Sequence, residues 1–193
     1  MFELAVAIGL IIGFLRGGSL ERLSKIPIKF PILFLLSFGL QAILAIAGNW
    51  VVIPHVYGLA IVLISYLILL SAAFLNREDF FMQIILVGIV LNFLVISLNG
   101  GMPVSMRSAE LVGISQKSYT SILKDDIKRV PVDENTRLGF LGDIIPVPPP
   151  YPLPAIYSIG DFFMAVGLAM FLQKHLTYLG KRAKEDGRLP LLD

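Results

Sequence analysis

Residues 56–105 read VYGLAIVLISYLILLSAAFLNREDFFMQIILVGIVLNFLVISLNGGMPVS. Within them, 56–75 and 81–98 are apolar runs of nearly the roughly 20 residues needed to cross a bilayer at about 1.5 Å per helical residue. The polar turn 76–80 joins them, and Gly100, Gly101 and Pro103 end the second, because glycine leaves the helical region freely and proline removes a backbone donor. A hairpin of two apolar helices is therefore expected here. Working outward, 30–48 and 156–173 are further apolar runs of similar length, and 2–15 is a shorter one that would start at the interface and rely on Arg16 reaching back to it. A cleaved signal peptide is the competing reading of 2–15, but Met1, Phe2 and Glu3 offer no positive leader and no small-residue cleavage pattern follows.

Composition agrees. Of 193 residues 56% are hydrophobic and 16% charged, and the mean hydropathy is +0.80, well above a soluble domain. The expected fold class is therefore all-α: a polytopic membrane bundle of five helices in a single domain, 1–193. Sixteen basic against fourteen acidic residues leave a net charge of +2, which gives no reason to expect a nucleic-acid partner. With no cysteine, disulfides, thiolate metal sites and cysteine nucleophiles are excluded. Neither a metal nor a cofactor is expected.

Lys and Arg collect on the cytoplasmic side of short loops. Residues 16–29 carry Arg16, Arg22, Lys25 and Lys29, the 76–80 turn carries Arg77, and the tail 174–193 carries Lys174, Lys181, Arg182, Lys184 and Arg188. With five spans all ten fall on one side, so the N-terminus is expected outside, the C-terminus inside and the long segment 99–155 outside the cytoplasm. In that segment Tyr119, Ile122, Leu123 and Ile127 share a helical period, predicting a short amphipathic helix over 118–129. Six of the nine residues 146–154 are proline, which predicts an extended strap leading straight into the last span.

In lipid, helices associate through small residues and polar bridges. Ala5, Gly9, Gly13 and Gly17 recur at intervals of four, a packing stripe that would also suit a membrane-protein partner. Ser37, Gln41 and Ala45 form a second line, Gly88, Asn92 and Asn99 a third, and Asp161, Ala165 and Ala169 a fourth. By depth, Gln41, Asn92 and Asn99 converge on the outer leaflet with Asp161 about 7–8 Å below the rim, at about 1.5 Å per residue. His55 and Asp143 can join them. A carboxylate within a span is costly, so Asp161 is a site candidate; SIGD (158–161) also places it in the first turn of a helix, where the helix dipole favours an acid. Asp143 reads first as a turn or capping residue and only second as a chemical group, and His55 and His175, standing at opposite faces, read as interface residues.

Three motifs, NGGMPVS (99–105), TRLGFLGDIIPVPPP (136–150) and SIGD opening the last span, together resemble an uncharacterised family of bacterial polytopic membrane proteins, a domain of unknown function. The resemblance covers most of the chain. It implies a multi-pass protein of the bacterial plasma membrane and transfers no catalytic residue. The expected function is binding of a small molecule, lipid headgroup or partner segment in a polar pocket near the outer leaflet. Two alternatives stand beside it: an intramembrane hydrolase using Asp143 and Asp161 as a carboxylate pair, and a membrane subunit of a larger complex. No triad order, H-E-x-x-H or G-x-S-x-G motif is present.

Overall fold

The computed structural model describes residues 2–48, 50–124, 126–151 and 154–185. Five long helices stand where the five apolar runs were expected: α1 (Phe2–Leu15), α3 (Pro31–Ala47), α4 (His55–Leu75), α5 (Phe80–Asn99) and α8 (Ile159–Glu185). Local chemistry sets their ends. Pro31, with its φ already helical and no donor to lose, opens α3. The Asp79 carboxylate accepts the Phe81 N–H at 2.8 Å and caps α5.

The helices pack in a row. α1 lies on α8, α8 on α5, α5 on α4 and α4 on α3. Buried positions recur at helical spacing, as at Gly58, Val62, Ser65, Leu69 and Ala72 of α4. The outward faces stay apolar, with Leu35, Ile43, Ile64, Phe74 and Val87 all exposed. Two helices, α4 and α5, are long and apolar enough to cross a bilayer, while α1 and α3 are apolar but shorter.

The small-residue stripe of α1 is turned onto α8. Ala5 is buried, a Cβ at Gly9 would press on the Ala169 backbone, and one at Gly13 would overlap Leu176. The face considered for a membrane partner is thus used within the chain. Gly17 does not belong to it. At φ +80° it closes α1, its N–H bonded to Phe14 O at 2.9 Å while the Gly18 N–H reaches Gly13 O at 2.9 Å. At the same end, α2 (Leu20–Leu23) sends Arg22 Nη1 to Leu176 O at 3.0 Å, and Asn76 exchanges hydrogen bonds with the Lys29 backbone.

Segment 99–155 departs most from expectation. It is a folded cap, not a loop with one helix. β1 (Met102–Val104) pairs in parallel with β2 (Arg129–Pro131), and α6 (Met106–Leu111) and α7 (Gln116–Lys124) form the crossover that a parallel pair requires. The amphipathic helix ends at Lys124, not at Arg129, and among the described residues beyond it Asp126 Oδ1 accepts the Lys128 and Arg129 N–H groups in a turn. Ile127, expected on the helix face, instead inserts into the bundle against Gly58, where a Cβ would collide with it.

The proline strap does not run straight. β3 (Ile145–Val147) and β4 (Ala155–Tyr157) pair antiparallel, with Pro146 opposite Ile156. Alternate residues of a two-stranded ladder aim their N–H groups away from the partner, so a proline at such a position loses no bond. Pro152 and Leu153 lie outside the described residues. The last apolar run is also re-divided, because Ile156 and Tyr157 are strand and α8 begins at Ile159. The helix then continues through the first part of the expected tail; 186–193 lie outside the described residues.

Candidate functional site

The site begins where α8 starts. Ser158 Oγ accepts the Asp161 N–H at 2.9 Å, and Asp161 Oδ2 accepts the Ser158 N–H at 3.2 Å. This is a reciprocal cap that satisfies two backbone donors. The helix-start reading of Asp161 therefore describes one of its oxygens. The other, Oδ1, accepts Asn92 Nδ2 at 2.8 Å, and Ser158 Oγ donates to Asn92 Oδ1 at 2.9 Å. Asn92 is 1% and Ser158 0% exposed while Asp161 is half-buried, so the three side chains form a network between α5 and α8 that is open only at the Asp161 carboxylate. It exists because α5 and α8 touch backbone to backbone. A Cβ at Gly160 would overlap the Asn92 amide, and one at Gly88 would overlap Gly160 O.

Asp143 arrives from the cap. Its N–H bonds Pro103 O at 2.8 Å and its carbonyl accepts the Ser105 N–H at 3.0 Å, so its backbone flanks β1 on the side opposite β2. Arg129 of β2 is thereby brought near, with Nε 3.7 Å from Asp143 Oδ2, an ion-pair distance too long for a hydrogen bond. Arg129 Nη1 also reaches Asp126 Oδ2 at 3.4 Å. Asp143 is only 6% exposed. Burial first, and the charge of Asp161 second, push its pKa up to about 7 against the pull of Arg129. The folded pKa lies above that of an unfolded aspartate. The burial of Asp143 therefore costs nothing below about pH 4, where both states are protonated. The cost grows as pH rises and is complete above about pH 7.

These groups open on a cavity of about 1190 Å³ between the cap and the adjoining ends of α3, α4 and α5. Five of the six expected site residues line it: Gln41, His55, Asn92, Asp143 and Asp161. Asn99 does not. Its side chain receives the Arg137 N–H at 2.8 Å and donates to Arg137 O and Val95 O, both at 2.8 Å, which pins the cap to the end of α5. Asp143 is not a helix cap either, since its carboxylate faces Arg129 and the cavity.

Several lining residues are not visible from sequence periodicity. Lys128, whose Nζ donates to Gln41 O at 3.3 Å, is half-buried, and burial lowers its pKa. Arg129 and Asp126 sit in a stretch of balanced charge that reads as solvated surface, and Tyr66 of α4 reads as one more apolar position. Ser158 was within reach, because S-x-x-D before an apolar run is a capping-box signature. Among the described residues no group of three or more His, Asp or Glu is arranged to hold a metal ion.

At the other end of the bundle, His175 does not meet His55. Its Nε2 lies 3.0 Å from Asp79 Oδ2, which also receives Lys174 Nζ at 2.7 Å, and its ring packs on Phe171 at 4.4 Å. This cluster fastens the start of α5 to α8. In a comparison with known protein families, residues 25–173 match a family model described as a family of unknown function, DUF5317. No curated protein and no solved structure matches the chain.

Proposed function

Because the chain belongs to the DUF5317 family of unknown function, its role rests on its own geometry, and we propose that it is a ligand-binding membrane protein whose cap covers an outward-facing polar cavity. In this reading all five long helices span a bacterial plasma membrane as one domain, with the N-terminus outside, the C-terminus inside and the cap extracytoplasmic. The ten basic residues of 16–29, the 76–80 turn and the tail support that orientation. The ligand is a small molecule or a lipid headgroup. The observation that carries the reading is the convergence of Gln41, His55, Asn92 and Asp161, from four different helices, and Asp143, from the cap, on one cavity of about 1190 Å³.

The test is mass spectrometry of small molecules and lipids released from purified wild type and from Asp143→Asn. Asp143 is the cleaner position, because Asp161 also caps α8. A specific molecule carried by the wild type and lost from the variant is expected. Equal content in both would overturn the reading.

An aspartate-dependent hydrolase remains as a second reading on one observation. Asp143 and Asp161 line the same cavities, and burial together with the charge of Asp161 pushes the pKa of Asp143 up to about 7, the direction a general acid needs. The subunit reading has lost its main support, since the α1 stripe is covered by α8.

A further inference from the structure

A second cavity, of about 350 Å³, lies beside the first. Its lining is mostly apolar, including Val104, Val112, Tyr119, Leu123 and Ile156. Arg129, Asp143 and Asp161 belong to the walls of both cavities, so the two spaces meet at this charged partition. The larger cavity holds three carboxylates, Asp126, Asp143 and Asp161, against two cations, Lys128 and Arg129. Among the described residues Asp143 has one cationic side-chain partner, Arg129. It is buried, yet the Arg129 nitrogen facing it stands at 3.7 Å and belongs to a half-exposed side chain that also reaches Asp126.

We propose that the ligand is an amphiphilic amine, its ammonium seated between Asp143 and Asp161 and its apolar body in the smaller cavity. The proposal rests on the reading of these cavities as a binding site and names the chemistry of what they take. An ammonium offers three donors to carboxylates that have acceptor capacity to spare. An anion placed near Arg129 or Lys128 would have to face Asp143 and Asp161 as well, which like-charge repulsion opposes. A neutral alcohol would leave the excess negative charge uncompensated.

The groups facing Asp143 are Asp161, Asp126 and Arg129, with Lys128, His55 and Tyr66 in the larger cavity and Tyr119 and Tyr157 in the smaller. A proton and the ammonium compete for the Asp143 carboxylate, whose pKa is pushed up to about 7 by burial and by Asp161. Amine affinity should therefore fall below about pH 7 by up to roughly tenfold per pH unit.

The experiment titrates the purified full chain with 2-phenylethylamine, 2-phenylethanol and phenylacetate. The amine should bind at least tenfold more tightly than either control and weaken from pH 8 to pH 6. Asp143→Asn should lose at least tenfold, and Arg129→Gln, which removes a competing cation from a half-exposed position, should bind the amine severalfold more tightly at pH 9, above the range in which a proton competes for Asp143. Repeating the titration in phosphatidylglycerol nanodiscs with and without phosphatidylethanolamine identifies the source: competition by the aminolipid assigns the site to a headgroup, and its absence assigns it to a soluble amine. Tightest binding of phenylacetate, or equal binding of alcohol and amine, would overturn the amine while leaving a binding cavity. No binding of any of the three would also overturn it, and the cavity reading would then stand or fall on the mass-spectrometric comparison.

Discussion

Gly88→Ile is expected to cost at least about 3 kcal/mol, beyond the usual 1–3 for an overpacked core and a large share of the roughly 5–15 that holds a domain together. A Cβ at Gly88 would overlap Gly160 O and stand 2.7 Å from Met164 Cγ and 2.9 Å from Met164 N. Two of these three atoms are backbone, so no rotamer change relieves the overlap. The helices must part. Separating α5 from α8 also pulls Asn92 away from Ser158 and Asp161, so the polar network fails with the packing. Gly39→Ile supplies the control, because a Cβ there meets nothing within 4 Å. Thermal unfolding of the purified variants should show a large loss for Gly88→Ile and little change for Gly39→Ile. Similar melting temperatures for the two would mean that α5 and α8 do not meet as described.

Asp161→Leu is expected to cost about 1.5–5 kcal/mol. Two losses combine. The Ser158 N–H loses its cap acceptor, a change worth about 0.5–2 kcal/mol. The amide of Asn92, itself 1% exposed, loses the acceptor of its Nδ2 group, and an unpaired buried donor costs about 1–3 kcal/mol. Asp161→Asn keeps an oxygen for Ser158 but presents an amide to Asn92, so its melting temperature should fall between leucine and wild type. If leucine and asparagine melt alike, the capping bond contributes nothing, and any loss the two share belongs to the bond with Asn92.

How much of this was legible in the sequence depends on the range of the signal. Apolar runs of bilayer length and small residues at intervals of four are local patterns, and they placed the five long helices and the α1 stripe. Asn92 and Asp161 were expected together because both lie on small-residue stripes at similar depth, and their side chains do meet at 2.8 Å. The cap was not legible. β1 and β2 have three residues each and lie far apart in sequence, too short for a period-2 pattern and too distant for a turn signal. The proline run fixes φ at each position but says nothing of a pairing partner, so β3 and β4 could not be foreseen as a hairpin. Asn99 was misassigned for a related reason. A polar residue at a helix end can face a pocket or hold a loop, and only the position of Arg137 decides between them. Arg129 was missed because a charge becomes informative only when Asp143, fourteen positions on, is folded back beside it.

The central claim is that the cap and its cavity face outward from a multi-pass membrane protein, and the absence of cysteine makes this directly measurable. Single cysteines would replace Ser121, exposed in the cap at the wall of the larger cavity, and Ser24, exposed in the connection between α2 and α3. Both would be treated with a membrane-impermeant thiol reagent in intact cells and again after permeabilisation. The account predicts labelling of Ser121→Cys in intact cells and of Ser24→Cys only once the membrane is opened. Labelling of Ser24→Cys from outside with Ser121→Cys protected would contradict it.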